Sequence, residues 1–111
     1  MHIHRFSPLV GPYALATVPK IPIAGITQAM SGLVRFGAGQ RSPEAGMRTS
    51  AVHELGYVVS GRVRIDTEDE SQEARAGDIL VASPTEPHST TALEDSEIFF
   101  VLLDPTLPSS A

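Results

Sequence analysis

Apolar and polar residues alternate with a period of two in several short segments of the chain, a pattern typical of half-buried β-strands. The clearest case is Arg62–Thr67, R-V-R-I-D-T, in which Val63 and Ile65 face one way and the charged residues face the other. Alternation, or a short apolar run between turn residues, predicts further strands at residues 31–36, 54–60, 73–75, 79–82 and 97–103. The last of these is E-I-F-F-V-L-L, and its unbroken apolar character predicts that both of its faces are covered.

Turn residues punctuate the whole chain. Nine glycines and nine prolines among 111 residues leave no stretch that reads as an amphipathic helix. Short strands at this spacing predict an all-β sandwich or barrel with a small internal cavity. Residues 14–27 read as edge strand and loop, residues 37–46 as loop, and the S-T-T segment after His88 as a connection to an acidic turn. We expect one domain, with an N-terminal arm and edge strands over residues 1–30, a barrel core over 31–104 and a tail over 105–111.

Composition narrows the function classes. A net charge of −5, six tyrosines and phenylalanines and no tryptophan argue against a nucleic-acid binder. The absence of cysteine excludes disulfides, thiolate metal sites and a thiol nucleophile. The longest apolar run, residues 98–103, is too short to span a bilayer, and the N-terminus lacks the apolar stretch of a signal peptide. We therefore expect a soluble, cytoplasmic protein that does not bind membranes.

The segment G-D-I-L-V-A-S-P-T-E-P-H, residues 77–88, delivers a histidine to a fixed place. A glycine turn leads into a short apolar strand, and Pro84 and Pro87 then restrict the backbone just before His88. An imidazole held in this way can bind a metal, transfer a proton or hydrogen-bond a ligand.

This segment resembles the second conserved motif of the cupin family, in which a G-D pair and an apolar strand lead through prolines to a histidine. Ser83 stands where the family often has a proline, and Thr85 stands at the usual glycine. Residues 54–61, E-L-G-Y-V-V-S-G, resemble the second half of the first cupin motif. The resemblance covers roughly residues 31–103 and implies a cupin jelly-roll barrel of two antiparallel sheets, which commonly pairs as a homodimer.

The first half of that first motif departs from the family pattern. Metal-binding cupins usually have an H-x-H pair that ends four or five residues before the glutamate or glutamine, but here those positions hold Arg48 and Ser50, or Met47 and Thr49. By resemblance, Glu54 and His88 are then the two remaining ligands for a divalent metal such as zinc, nickel, iron or manganese. His53 is a third candidate, although adjacent strand residues face opposite sides and it would need a bulge to join Glu54.

Two function classes follow from this departure. In the first, a metal-free cavity binds a small carboxylate or phosphate through Arg48, Ser50, Glu54 and His88, with the guanidinium as the anion-binding group. Glu54 and His88 could also support proton transfer. In the second, the protein is a metal-dependent enzyme, such as a dioxygenase or a sugar-acid isomerase, with an atypical ligand set.

Each candidate residue also has a plain structural interpretation. Arg48 could be a solvated loop arginine, His88 a hydrogen-bonded core histidine, and His53 a residue of an outer, dimer-forming face. Glu54 is different, because a carboxylate that faces a barrel interior needs a cation or a metal as its partner.

Overall fold

The computed structural model describes residue 1 and residues 3–105, and in this part of the chain it has nine β-strands and no helix. The predicted tail, residues 105–111, lies outside the described residues except for its first position. The strands are β1 (Ala14–Val18), β2 (Ile26–Phe36), β3 (Arg41–Ser42), β4 (His53–Ser60), β5 (Arg62–Thr67), β6 (Ser71–Arg75), β7 (Ile79–Ala82), β8 (His88–Ala92) and β9 (Ser96–Pro105).

The strands form two antiparallel sheets, as the predicted fold class requires. One sheet has five strands in the order β1-β2-β9-β4-β7, and the other has four in the order β3-β8-β5-β6. The predicted strands at 62–67 and 79–82 have the observed bounds. A glycine turn precedes each of them, and an acidic turn after residue 67 and a proline at position 84 mark their ends. The two sheets pack face to face around a closed apolar core at one end of the molecule.

Three local expectations were wrong. The strand expected at residues 31–36 is longer and begins at Ile26. Residues 41–42 and 88–92, for which the sequence predicts a loop and a connection, form β3 and β8, and these two strands pair with each other. Strand β8, H-S-T-T-A, is largely buried although it is mostly polar, because it lies between β3 and β5 in the middle of its sheet. Hydropathy alone therefore could not reveal it.

Both faces of β9 are at least partly covered, in agreement with its apolar run, and no residue from 96 to 104 is exposed. Ile98 points into the core and is buried, whereas Phe99 on the opposite face is only half-buried. The ring of Phe6 packs edge-on against Phe99, with ring centroids 6.1 Å apart, and so shields part of this outer face. The rest of the outer face, on β4 and β7, stays exposed.

The inward-facing residues are arranged in layers along the barrel axis. The closed end is a floor of buried apolar side chains: Val34, Phe36, Val58, Val63, Ala74, Ala92 and Ile98. One layer nearer the open end, Ile65, Leu80 and Phe100 form a half-buried middle layer against this floor. At the open end, Glu54 of β4 and His88 of β8 face each other across the gap between the sheets. No helix in the described residues has the length and apolar character needed to cross a lipid bilayer.

Candidate functional site

Arg48, Glu54 and His88 meet at the open end of the barrel. Glu54 is the second residue of β4 and points inward, with 16% of its side chain exposed. His88 opens β8 in the opposite sheet, and its side chain is 9% exposed. Arg48 lies in the segment between β3 and β4 and reaches the same place from a third direction.

A tight turn before β8 sets the position of His88. The amide of Glu86 donates to the carbonyl of Ser83 at 3.2 Å, with Pro84 and Thr85 as the two central residues. Thr85 has φ = 65°, the positive value that a type II turn needs after its proline. Glycine normally fills such a position, so the turn accounts for the family glycine that Thr85 replaces. The Glu86 carboxylate also accepts from the Ser83 amide at 3.3 Å, which closes the turn from both ends.

Backbone hydrogen bonds hold the Arg48 segment beside this turn. Arg48 and His88 exchange both amide-to-carbonyl bonds, each 3.0 Å long, as an isolated antiparallel bridge. The amide of Thr85 also donates to the carbonyl of Ser50 at 2.7 Å. Directly paired residues of an antiparallel bridge present their side chains on one face, so the bridge fixes Arg48 next to His88.

The imidazole of His88 lies between two hydrogen-bond acceptors. Its Nδ1 is 3.1 Å from the carbonyl oxygen of Glu86, and its Nε2 is 3.3 Å from Oε2 of Glu54. A carbonyl and a carboxylate can only accept, so the arrangement is best satisfied when both ring nitrogens carry protons. The hydrogen bond to Glu54 raises the pKa of His88 above its ordinary value, and it outweighs the effect of burial.

Glu54 is stabilised as a carboxylate by two cationic partners. The hydrogen bond from His88 lowers the pKa of Glu54 against the opposing effect of burial, and the charge of Arg48 lowers it further. Arg48 makes this contact through Nη2 alone, at 3.4 Å from Oε1, and 54% of its side chain is exposed. Such a long, single contact leaves the other guanidinium donors of Arg48 for a further partner.

A cavity of about 560 Å³ runs from these three residues into the barrel. Its mouth is polar, and its wall further in is formed by the middle layer of Ile65, Leu80 and Phe100 above the apolar floor. The volume lies within the range of small-molecule pockets.

The structure does not bring the other two predicted site residues to this cavity. The hydroxyl of Ser50 accepts from the amide of Val52 at 3.2 Å, and Ser50 is not among the residues that line the cavity. His53 is exposed on the outer face of β4, because the side chains of adjacent strand residues alternate and its neighbour Glu54 points inward.

The residues present do not fit a resident divalent metal. Among the described residues, no three histidine, aspartate or glutamate side chains come together in a group that could hold an ion. The Glu54–His88 pair supplies two donors, whereas a stable site needs three or four protein ligands. The guanidinium of Arg48 already lies against the carboxylate that would have to bind the cation.

Sequence comparison decides the family. A model of the cupin domain matches residues 32–103, about two thirds of the chain. The chain belongs to the cupin family. The match covers both motifs that carry the resemblance, and the nine-strand arrangement is that of a cupin barrel. No curated protein sequence matches the chain at a significant level.

Solved structures share this cupin fold at low sequence identity. KdgF from a Halomonas species is 23% identical, with a TM-score of 0.64 over 90% of this chain and 87% of that protein. An RmlC-like cupin from Shewanella frigidimarina is 14% identical, with a TM-score of 0.67 over 92% and 85%. A mutant of Bacillus subtilis oxalate decarboxylase OxdC is 23% identical, with a TM-score of 0.72 over 93% of this chain but 28% of that one. At these identities the comparison shows the fold alone.

Two features of the site were missed from the sequence. The backbone carbonyl of Glu86 holds the His88 ring, a contact that depends on the turn and not on the identity of residue 86. The apolar wall of Ile65, Leu80 and Phe100 comes from three strands that are distant in sequence. The prolines on either side of Glu86 are a sequence signal for the turn that places its carbonyl. No sequence signal indicates that Ile65, Leu80 and Phe100 come together.

Proposed function

We propose that this cupin binds a small anionic molecule in its barrel cavity, without a resident metal ion. The observation that carries the proposal is the position of Arg48. It is the one arginine or lysine among the described residues that line the cavity, and it is fixed at the mouth by its backbone bridge to His88. A guanidinium can bind a carboxylate or a phosphate through two parallel hydrogen bonds.

The Glu54–His88 pair supports this role for Arg48. Oε2 of Glu54 contacts the His88 ring, so the protonated imidazole already balances the negative charge of Glu54 without Arg48. Arg48 then brings a further positive charge, and only its Nη2 atom contacts Glu54. An anion that enters the cavity would therefore meet guanidinium donors that the described residues leave unused.

The other acidic groups around the cavity are hydrogen-bonded within the protein. The acidic groups of the lining, other than Glu54, each accept from a donor of the chain itself. The pairs are Glu70 with Gln72, Glu73 with Arg62, Asp78 with the amide of Arg75, and Glu86 with the amide of Ser83. An anion held at Arg48 thus meets acids that are already hydrogen-bonded.

The second candidate is a divalent-metal-dependent enzyme. It is supported by structural similarity, since one of the similar structures is an oxalate decarboxylase described with Mn(II) centres. In this chain, however, only Glu54 and His88 are placed to bind a metal ion, which is too few ligands for a stable site. The same relative favours the anion proposal in another respect, because by its name oxalate decarboxylase acts on a small carboxylate.

Ligand screening by thermal shift tests the proposal. Acetate, benzoate, citrate and inorganic phosphate are added separately to the wild-type protein, to Arg48→Ala and to Arg75→Ala. We expect at least one anion to raise the melting temperature of the wild type and of Arg75→Ala, but not of Arg48→Ala. Arg75 is a matched control, because it is an arginine outside the cavity lining. Stabilisation that is the same in all three proteins, or absent from all, would overturn the proposal.

Metal content separates the two candidates. Elemental mass spectrometry is applied to protein purified without added metal, and to the Glu54→Gln, His88→Ala double variant. We expect metal well below one ion per chain in both proteins. Near-stoichiometric zinc, nickel, iron or manganese that disappears in the double variant would establish the metal-dependent alternative instead.

We also propose that the protein acts as a cytoplasmic homodimer. The support for the dimer is an apolar area on the outer face of β4 and β7, where Leu55, Tyr57, Val59, Ile79 and Val81 are all exposed. Strand β7 is in addition an edge of its sheet, and an exposed apolar edge favours association. A cytoplasmic location is supported by a chain without cysteine.

A further inference from the structure

Beneath Arg48, the cavity changes from polar to apolar within a short distance. We propose, on the basis of the anion-binding function above, that the ligand is a monocarboxylate with a compact apolar body. Its carboxylate binds Arg48, and its body lies against Ile65, Leu80 and Phe100.

The strand register places these three apolar side chains around one space. Gly56 of β4 is paired with Leu80 on one side and with Phe100 on the other. Because Gly56 has no side chain, the space between Leu80 and Phe100 stays open above the floor of the barrel. Ile65 faces this space from the opposite sheet, where it is paired with Thr90. All five residues line the cavity.

Phe100 is held in place from behind. Its ring lies over Gly32 of β2, so closely that a Cβ atom at residue 32 would overlap the ring carbons. The ring therefore forms a fixed wall of the middle layer, and it presents an aromatic face or edge to whatever occupies the space.

The distance between layers sets the size of the apolar body. Glu54 and Gly56 are two residues apart on β4, so the middle layer lies about 6.6 Å along the strand from the level of Glu54. That depth suits one aromatic ring or a chain of about four to five carbons, and the floor begins another two residues further down the strand, at Val58.

The charges around the cavity favour a single negative charge on the ligand. Arg48 offers one guanidinium fork, which matches the two oxygens of a carboxylate. The lining also carries the carboxylates of Glu70, Glu73, Asp78 and Glu86 in addition to Glu54. A second negative charge, as on a phosphate dianion or a dicarboxylate, would face these groups with no further lysine or arginine in the described lining to offset them.

A titration series tests the proposal on the wild-type protein without any core mutation. Acetate, butyrate, hexanoate, benzoate, benzamide, succinate and inorganic phosphate are titrated separately, and binding is followed by the NMR signals of the Ile65 and Leu80 methyl groups. We expect benzoate and hexanoate to bind at least tenfold more tightly than acetate and to shift these methyl signals. Arg48→Ala should lose this binding, and Arg75→Ala should keep it.

The outcomes that contradict the inference are distinct from those that contradict the anion-binding function. The assignment of an apolar monocarboxylate would be overturned if acetate bound as tightly as benzoate, or if phosphate or succinate bound more tightly than benzoate. If that binding still depended on Arg48, the anion-binding function itself would stand. Benzamide that binds as well as benzoate, with no effect of Arg48→Ala, would overturn both. No binding by any probe would also overturn both.

Discussion

The Nε2 atom of His88 lies 3.3 Å from Oε2 of Glu54, and this contact joins the two sheets across the mouth of the cavity. The two side chains come from strands β8 and β4, which belong to different sheets and share no backbone pairing. The pair therefore contributes to closing the barrel at its open end as well as to the candidate site.

Removing one member of this pair should destabilise the fold. Glu54→Leu leaves the largely buried His88 ring without its acceptor, and we expect the free energy of unfolding to fall by about 1–3 kcal/mol. Urea denaturation measures the change. The control is Glu73→Leu, which breaks the ion pair between Glu73 and Arg62. The Glu73 side chain is 58% exposed, so this substitution should change the free energy of unfolding by less than about 1 kcal/mol. Equal effects of the two substitutions would contradict this role of the pair.

The stability contributed by the pair should depend on pH in a defined window. The pKa of His88 is raised above 6.5, so its contribution is complete below pH 6.5 and is lost as the pH rises through the folded-state value. The pKa of Glu54 is lowered below 4.5, so its contribution is complete above pH 4.5 and is lost as the pH falls through its folded-state value. The pair is therefore most stabilising between pH 4.5 and 6.5.

Urea denaturation of the wild type and of His88→Gln at several pH values measures this dependence. Glu54 and Arg48 are the charged side chains that act on His88, and Glu54 stays ionised above pH 5.5 because its pKa is lowered below 4.5. We expect the stability difference between the two proteins to be largest near pH 5.5 and to shrink by pH 9. A difference that stays constant or grows over this range would show that His88 is not charged in the folded protein.

Thr85→Gly should stabilise the protein. A residue with a Cβ atom loses about 1–2 kcal/mol in the left-handed conformation that Thr85 adopts, and glycine does not. The greater freedom of glycine in the unfolded chain offsets part of the gain, so we expect a net stabilisation of about 0.5–1 kcal/mol. Thermal denaturation measures it against Thr85→Ala, which keeps the Cβ atom and should gain little. A loss of stability in Thr85→Gly would mean that the threonine side chain makes a compensating contribution.

Charge placed on the outer face should separate the proposed dimer. Val81→Lys introduces a cation on β7 at a side chain that is 70% exposed, within the apolar area shared with β4. We expect light scattering to give a dimer for the wild type and a monomer for this variant. Val10→Lys is the control, since Val10 is 81% exposed but lies before β1, and it should leave the dimer intact. A monomeric wild type at tens of micromolar would refute the dimer.

The fold could be predicted because its signals are local in the sequence. The glycine turn, the apolar strand and the prolines of residues 77–88 predicted β7 with its observed bounds. Strand β8 follows directly but was missed, because its burial results from β3 and β5 on either side and not from apolar side chains of its own.

The candidate site could be predicted only as a set of residue types. Counting back from Glu54 identified Arg48 and Ser50 as alternatives to a histidine pair, but it could not say which of them faces the cavity. That depends on the hydrogen bonds between residues 48–50 and 85–88, which join segments more than 30 residues apart. Position 48 is paired with His88 and lines the cavity, whereas Ser50 contributes its backbone carbonyl to the turn.

The bridge between Arg48 and His88 has a consequence for how this barrel can diversify. Both of its hydrogen bonds are made by backbone atoms, so any residue other than proline can occupy position 48 while the bridge persists. The scaffold thus holds one exchangeable side chain against a fixed carboxylate and imidazole. A single-codon change at position 48 could then alter the ligand preference without altering the fold.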